Sequence, residues 1–204
     1  MSSLTKGTYM YWKLSARLIL AYSLLFLTLL TASHEISIDG RLDDASWKQA
    51  VEYTKYYESL PFTLDEPKDF QKVLILEDEK GIYLGFVNEQ AKDTVRANKH
   101  ERDDEMANTD KAGLAIDFDG DGLAAYSFTV SASGSISDGI YRNENEVNYD
   151  WDADWKSAVF IDENFWYVEM FIPWTIAPMK SVEGKFREVK LSFWRLLASE
   201  WRVN

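Results

Sequence analysis

The feature that most constrains the fold is a series of short apolar segments that recurs along the chain from residue 73 onward. The segments are rich in β-branched and aromatic residues, and glycine, aspartate and asparagine separate them. This pattern is typical of antiparallel β-strands joined by tight turns. The predicted strands cover residues 73–76, 82–87, 112–118, 123–130, 135–141, 155–161, 165–172 and 189–197.

The order of these segments also indicates a fold class. No regular alternation of strands and helices occurs, so a parallel sheet with crossover helices is disfavoured. We predict an all-β fold, a two-sheet antiparallel β-sandwich of jelly-roll type with one short N-terminal helix at 42–50. Most of the tryptophans lie in apolar or alternating segments, and four are expected in the core: Trp47, Trp166, Trp174 and Trp194.

The first 33 residues differ from the rest of the chain. No acidic residue precedes Glu35, a few basic residues come first, and an apolar run at 18–30 ends in small residues. This is the pattern of a secretory signal peptide, and the run is shorter than the about 20 residues that span a bilayer. We expect a signal peptide at 1–33 and a domain at 34–204, exported to the periplasm, the outer membrane or the medium. An uncleaved anchor and a buried helix are the alternatives, and the end of the chain, near a strand, suggests a truncation.

Composition excludes several functions. The chain has 34 acidic and 22 basic residues and a net charge of −12, which argues against nucleic acid and anionic lipid as partners. It has no cysteine, so disulfides and thiol nucleophiles are impossible. With only two histidines, His34 and His100, a hydrolytic triad and a structural zinc site are both disfavoured. Eight tryptophans in 204 residues, however, are unusual and point towards function.

One motif has the spacing of a metal-binding loop. Residues 117–122 read Asp-Phe-Asp-Gly-Asp-Gly, which matches the start of an EF-hand loop. The twelfth position is Phe128 rather than glutamate, and the flanking segments are strands, so a true EF-hand is rejected. Two interpretations stay open. The motif is either a hairpin turn, or a structural calcium site in which Asp117, Asp119 and Asp121 are completed by distant acids.

A second segment, residues 141–155, combines aromatic rings with amides and carboxylates. Sugars bind to flat aromatic surfaces beside groups that form paired hydrogen bonds. The candidate carbohydrate-binding residues are Tyr141, Asn143, Asn145, Tyr149, Asp150, Trp151, Asp152 and Trp155. In this hypothesis Trp151 and Tyr149 stack together on a sugar ring. Alternatively, the aromatics fill the end of the sandwich, and Trp155 in particular fits the core.

The opening of the predicted domain resembles a known family. Residues 38–47, Ile-Asp-Gly-Arg-Leu-Asp-Asp-Ala-Ser-Trp, resemble the start of the family 9 carbohydrate-binding module. The order of later features is also similar: the strand at 81–86, an acidic segment ending at Asp110, the run 115–117 and the pair Pro173-Trp174. The likeness covers residues 36–197. It extends to modules at the front of large exported bacterial proteins with a β-rich C-terminal region.

The resemblance implies a non-catalytic module that binds carbohydrate and positions polysaccharide or sugar ends in carbohydrate catabolism. Such modules are usually attached to glycoside hydrolases and often hold structural calcium. The resemblance also implies a β-rich C-terminal partner region that this chain lacks. Two other functions stay open from the residues: a glycoside hydrolase or a fragment of one, and a docking domain of an outer-membrane or periplasmic protein.

Overall fold

The computed structural model describes residues 36–142, 146–181, 183–184 and 186–204. The chain divides into two units, Met1–His34 and Glu35–Asn204, and every described element lies in the second. The predicted signal peptide and the candidate residues Asn143 and Asn145 lie outside the described residues. Within the described ranges, no helix has the length and apolar character needed to cross a membrane.

Two antiparallel sheets make up the domain, and this confirms the predicted all-β class. One sheet has five strands, in the order β1 (Val51–Tyr53), β2 (Gln71–Glu77), β3 (Gly81–Glu89), β9 (Phe165–Pro173) and β8 (Lys156–Ile161). The other has six, in the order β11 (Arg202–Val203), β10 (Lys190–Leu197), β4 (Lys111–Asp117), β5 (Tyr126–Ser131), β6 (Ile136–Arg142) and β7 (Glu146–Asn148).

The predicted short N-terminal helix is present, but it is shorter than 42–50 and is a 3-10 helix. Residues Ala45–Gln49 form a 3-10 helix, and two further 3-10 helices span Lys92–Thr94 and Trp174–Ile176. The N–H of Trp47 bonds the carbonyl of Asp44 at 3.1 Å, the three-residue spacing of a 3-10 turn. The chain cannot continue into a longer helix because Ala50 is already extended and leads directly into β1.

The main core lies between the two sheets and follows the strand alternation. Leu84, Leu114, Phe128, Trp166 and Met170 are all fully buried in it. They come from both sheets, so the apolar faces pack against each other as in a sandwich. The residues between them along each strand therefore face outward, and the two outer faces differ in what covers them.

The N-terminal segment covers the outer face of the five-stranded sheet. Trp47 packs there with Leu74, Leu76 and Tyr83 in a second apolar cluster. Gly85 lies beneath this segment, because a Cβ at that position would be 2.6 Å from a methyl carbon of Leu42. The motif that resembles a carbohydrate-binding module thus has a structural role, as a cover for one sheet.

A buried carboxylate fastens this cover to β9. Glu169 accepts hydrogen bonds from the backbone N–H groups of Asp39 at 2.9 Å and Gly40 at 2.8 Å. Its other oxygen accepts the indole N–H of Trp47 at 3.0 Å. Burial nevertheless raises the pKa of Glu169, since desolvation outweighs the three donors. The N-terminal cover does not extend to the outer face of the six-stranded sheet.

Candidate functional site

Small residues line the middle of the outer face of the six-stranded sheet. Ala115 pairs with Ser127, and Ser127 pairs with Gly139, so one row of small side chains crosses three strands. A second row beside it joins Gly113 and Thr129. These side chains are short and buried, with Ser127 and Thr129 each 4% exposed, and we call the two rows the small-residue floor.

Trp194 lies on the outer face beside the small-residue floor, although the sequence predicted it in the core. It pairs with Gly113, and its ring lies directly over that glycine, 2.6 Å from where a Cβ would be. Its neighbours Phe193 and Arg195 point inward, so alternation places Trp194 on the outer face. Only glycine at 113 leaves room for this ring.

Tyr141 lies on the other side of the floor, beside a cavity. The cavity has a volume of about 580 Å³ and is lined by Ala115, Asp117, Gly122, Leu123, Ala124, Ala125, Tyr141 and Ser192. A neighbouring cavity of about 380 Å³ shares Asp117, Leu123 and Ala124 with it. These volumes fall in the range of sites for small ligands, about 300–1,000 Å³. The lining mixes an aromatic ring, hydroxyls and a carboxylate.

The loop before β4 lies over the far end of the same face. Lys111 is buried, and its ammonium donates to the backbone carbonyls of Glu105 at 3.1 Å and Asp104 at 3.4 Å. Tyr149 lies beside Glu105 and Tyr141. Burial, together with the Glu105 carboxylate, raises the pKa of Tyr149 far above its usual value, so its hydroxyl keeps the proton. Tyr141 lines the cavity of about 580 Å³, and Tyr149 lines neither of the two cavities.

The structure separates the aromatic residues that the sequence grouped together. The Trp151 ring lies 5.0 Å from Tyr126 and 6.0 Å from Phe128, both of which belong to the core. Trp155 is buried with its ring 5.4 Å from Phe128. Trp151 therefore packs against the core while staying half-buried, and its stacking with Tyr149 on a sugar ring stays a prediction. Tyr141 is the member of that candidate set that lines the cavity.

The predicted polar partners have other neighbours. Asp150 is exposed, and Asp152 is exposed and forms an ion pair with Arg102 at 2.8 Å. Arg102 also pairs with the buried carboxylate of Asp138, which accepts the N–H of Ala153 at 2.7 Å. These bonds connect the segment around Asp152 and Ala153 to Asp138 of β6. Direct contact of Asp150 or Asp152 with a sugar stays a prediction.

The carboxylates of the turn at 117–122 already have partners. Asp117 accepts backbone N–H groups of Gly120 at 2.8 Å and Gly122 at 2.7 Å, which closes the turn. Asp119 accepts a hydrogen bond from Arg187 at 2.5 Å, and Asp121 pairs with Lys180. In the described ranges, no group of three or more acidic or histidine side chains could hold a metal ion. This donor set does not fit calcium as it stands, because cationic side chains and N–H groups take its oxygens.

Comparison with known proteins places this geometry in a fold. No protein-family model and no curated protein matches the sequence. Among solved structures, the chain matches a family 9 carbohydrate-binding module from Caldicellulosiruptor kristjanssonii in complex with cellotriose, with a TM-score of 0.54 and 13% identity over 83% of this chain and 77% of that one. The chain has the fold of a family 9 carbohydrate-binding module.

Two further structures agree with this assignment. A family 9 module from the same organism in complex with glucose matches with a TM-score of 0.54 and 12% identity, over 79% of this chain and 74% of that one. A protein from Bacteroides uniformis, provisionally described as carbohydrate-binding, matches with a TM-score of 0.55 and 15% identity, over 73% of this chain and 72% of that one. The resemblance seen in the sequence is therefore confirmed at the level of the fold.

Sequence analysis missed Trp194 and the small-residue floor. One signal was present in the sequence: β4, β5 and β6 place Gly, Ala, Ser or Thr at alternate positions between large apolar residues. A strand whose second face carries only small residues has room for something to lie against that face. The pairing that aligns these positions across strands is visible only in the folded sheet.

Proposed function

We propose that this domain binds carbohydrate without catalysis, on the outer face of the six-stranded sheet. The observation that carries the proposal is the cavity of about 580 Å³, in which the ring of Tyr141 lies beside the small residues Ala115, Ala124 and Ala125. A pyranose ring is flat and apolar on its C–H faces, so it can pack against an aromatic ring such as that of Tyr141. Ser192, Tyr141 and Asp117 offer polar groups for its hydroxyls.

The shared fold supports the same proposal. Family 9 modules with this fold have been solved with cellotriose and with glucose bound. We therefore name these two sugars as the first probes for the domain, followed by a glycan array. In this proposal the module positions polysaccharide or sugar ends during carbohydrate catabolism. The resemblance to family 9 modules of exported proteins further suggests that the chain is exported and acts together with a β-rich partner region.

Isothermal titration calorimetry with cellotriose and glucose tests the site. Tyr141→Ala removes one aromatic wall and should weaken binding about tenfold, the loss of roughly 1–1.5 kcal/mol of aromatic contact. Ala115→Phe fills the cavity from its floor and should abolish binding. Tyr57→Ala is the matched control, because Tyr57 is 56% exposed and does not line this cavity. Circular dichroism checks that each variant is folded.

The outcomes separate the alternatives. If the unmodified domain binds no sugar on the array, carbohydrate binding is wrong. If it binds sugar, and both Tyr141→Ala and Ala115→Phe bind it as tightly as the unmodified domain does, the ligand lies elsewhere. Trp151→Ala then tests the site predicted from the segment 141–155. Release of shorter sugars from cellotriose would establish a glycoside hydrolase instead.

Export is a separate part of the proposal. We propose that residues 1–33 act as a signal peptide, because a basic start, an apolar run and small residues follow one another there. Expression of the full chain in a bacterium, followed by fractionation and N-terminal sequencing, measures this directly. Export with a new N-terminus near residue 33 is expected. Retention of the intact N-terminus in the membrane fraction would support the uncleaved anchor.

A further inference from the structure

Strand β10 has an edge that is only partly paired. β11 pairs with the C-terminal end of β10, and Arg195 and Asn204 exchange two backbone hydrogen bonds of 3.0 Å. Backbone groups alternate between the two sides of an antiparallel strand. The N–H and C=O groups of Phe193 and Leu191 therefore point to the same side as those of Arg195. None of them has a backbone partner in the part of the chain that the structure describes.

Buried polar groups without partners concentrate at the same edge. Ten buried side-chain nitrogen and oxygen atoms in the described ranges lack a hydrogen bond, and seven of them belong to Gln71, Arg195, Arg202 and Asn204. Each of these residues is at least nine-tenths buried. Arg195 uses one guanidinium nitrogen on the carbonyl of Glu89 at 2.9 Å and leaves two others unpaired. Such groups cost stability unless a partner supplies the bonds.

The neighbouring edge of the other sheet exposes apolar surface. Val51 and Tyr53 of β1 are 68% and 39% exposed. The ring of Tyr53 lies 5.5 Å from the ring of Phe193, so β1 and the part of β10 that β11 does not pair lie on the same side of the sandwich. A strand added to β10 would cover Tyr53 and approach the unpaired groups of Arg195 and Gln71. Native edge strands are usually protected, and this one is open over Leu191 and Phe193.

We propose that this edge binds an extended segment of a partner polypeptide, which lies antiparallel to β10 and continues the line of β11. Its backbone bonds Leu191 and Phe193, as in strand addition to a sheet edge. Alternate side chains are apolar, since they face Tyr53. The intervening ones are basic, since they face outward and this chain carries a net charge of −12.

Hydrogen exchange on the full chain tests the proposal. The probe is a synthetic peptide of four Lys-Val repeats, acetylated and amidated, titrated to millimolar concentration. The amides of Leu191 and Phe193 should exchange at least about tenfold more slowly with peptide bound. A peptide of four Lys-Pro repeats is the matched control, because it cannot form the ladder. Leu191→Pro should abolish the protection, and proline is tolerated there because that N–H lies outside the β4 ladder.

A second experiment tethers the peptide to the chain, so that weak binding by a short free peptide does not hide the interaction. The Lys-Val sequence, and separately the Lys-Pro sequence, is joined directly after Asn204, which raises the effective concentration of the strand. The Lys-Val chain should protect both amides and melt at a higher temperature than the Lys-Pro chain. Absence of protection in both formats overturns the proposal, as does equal protection at the edge strand β8. Dimers with protected β10 amides in the absence of peptide would assign the edge to a second copy instead.

Discussion

Glu169 shows how one side chain decides the role of a recognisable motif. Its carboxylate lies on the outer face of β9 and accepts three N–H donors from the segment 39–47. Charged hydrogen bonds of this kind contribute about 1.5–3 kcal/mol each. In this chain the motif therefore supplies the two backbone N–H groups and the indole that one buried acid binds.

A double-mutant cycle tests this role. E169Q keeps an oxygen for the backbone donors but turns an N–H₂ group towards the indole of Trp47, and it should lower the free energy of unfolding by about 1–3 kcal/mol. W47F removes the indole donor. In the E169Q background it should cost less than in the wild type, with a coupling of at least about 0.5 kcal/mol. Urea denaturation measures all four free energies; strict additivity would exclude the pairing.

The pH dependence of stability follows from the same carboxyl group. Burial raises the pKa of Glu169 above its ordinary value of 4.5, so the folded state binds this proton more tightly than the unfolded chain. Its contribution is therefore fully present below pH 4.5 and is lost as the pH rises through the raised pKa. The unfolding free energy of the wild type minus that of E169Q should fall with pH across this window. A difference that rises with pH would show that the three donors outweigh desolvation.

At the scale of elements, the strands were well predicted and the connections were not. Residues 82–87 and 165–172 match β3 and β9 closely, because an uninterrupted apolar run leaves few alternatives. β5 begins at Tyr126 rather than 123, since the turn that Asp117 organises extends past Gly122. The short strand β7 lies inside the segment 141–155, between two predicted strands, and no apolar run marks it.

The turn at 117–122 makes a prediction about calcium. Lys180 holds the pKa of the Asp121 carboxyl below its usual range, which indicates that a cationic side chain already occupies that oxygen. We expect neither calcium nor EDTA to change the Tm of the wild type. A Lys180→Met, Arg187→Met variant frees Asp119 and Asp121, and calcium should then raise its Tm. Lys156→Met, at an exposed lysine, is the control.

The opposite result is equally informative. A rise in the Tm of the wild type with calcium would show that the ion displaces Lys180 and Arg187 from the turn. It would establish the structural calcium site that the sequence spacing predicts. Calorimetry with calcium on the same samples gives the stoichiometry.

At the scale of the whole molecule, the two outer faces of the sandwich differ in what covers them. Residues 36–50 close the face of the five-stranded sheet with Leu42 and Trp47. On the other sheet, the cavity beside Tyr141 stays accessible.

Two truncations test this arrangement. A chain that begins at Glu35 should unfold in one cooperative transition, because both sheets share one core and the unit Glu35–Asn204 retains its cover. A chain that begins at Val51 loses Leu42 and Trp47 and exposes Leu74 and Leu76. It should melt at a markedly lower temperature and bind the dye ANS. Equal Tm values for the two chains would contradict the role of the cover.

The sequence by itself determined the fold class, most strands, and the resemblance to a carbohydrate-binding module. Those properties depend on local alternation, which neighbouring residues display along the chain. Tertiary structure alone decided which side of a sheet each candidate faces. It placed Trp194 outward over Gly113, packed Trp151 against the core and put Tyr141 beside the cavity of about 580 Å³. The reason is physical: a strand fixes only that neighbours point to opposite faces, and packing of the two sheets decides which face is buried.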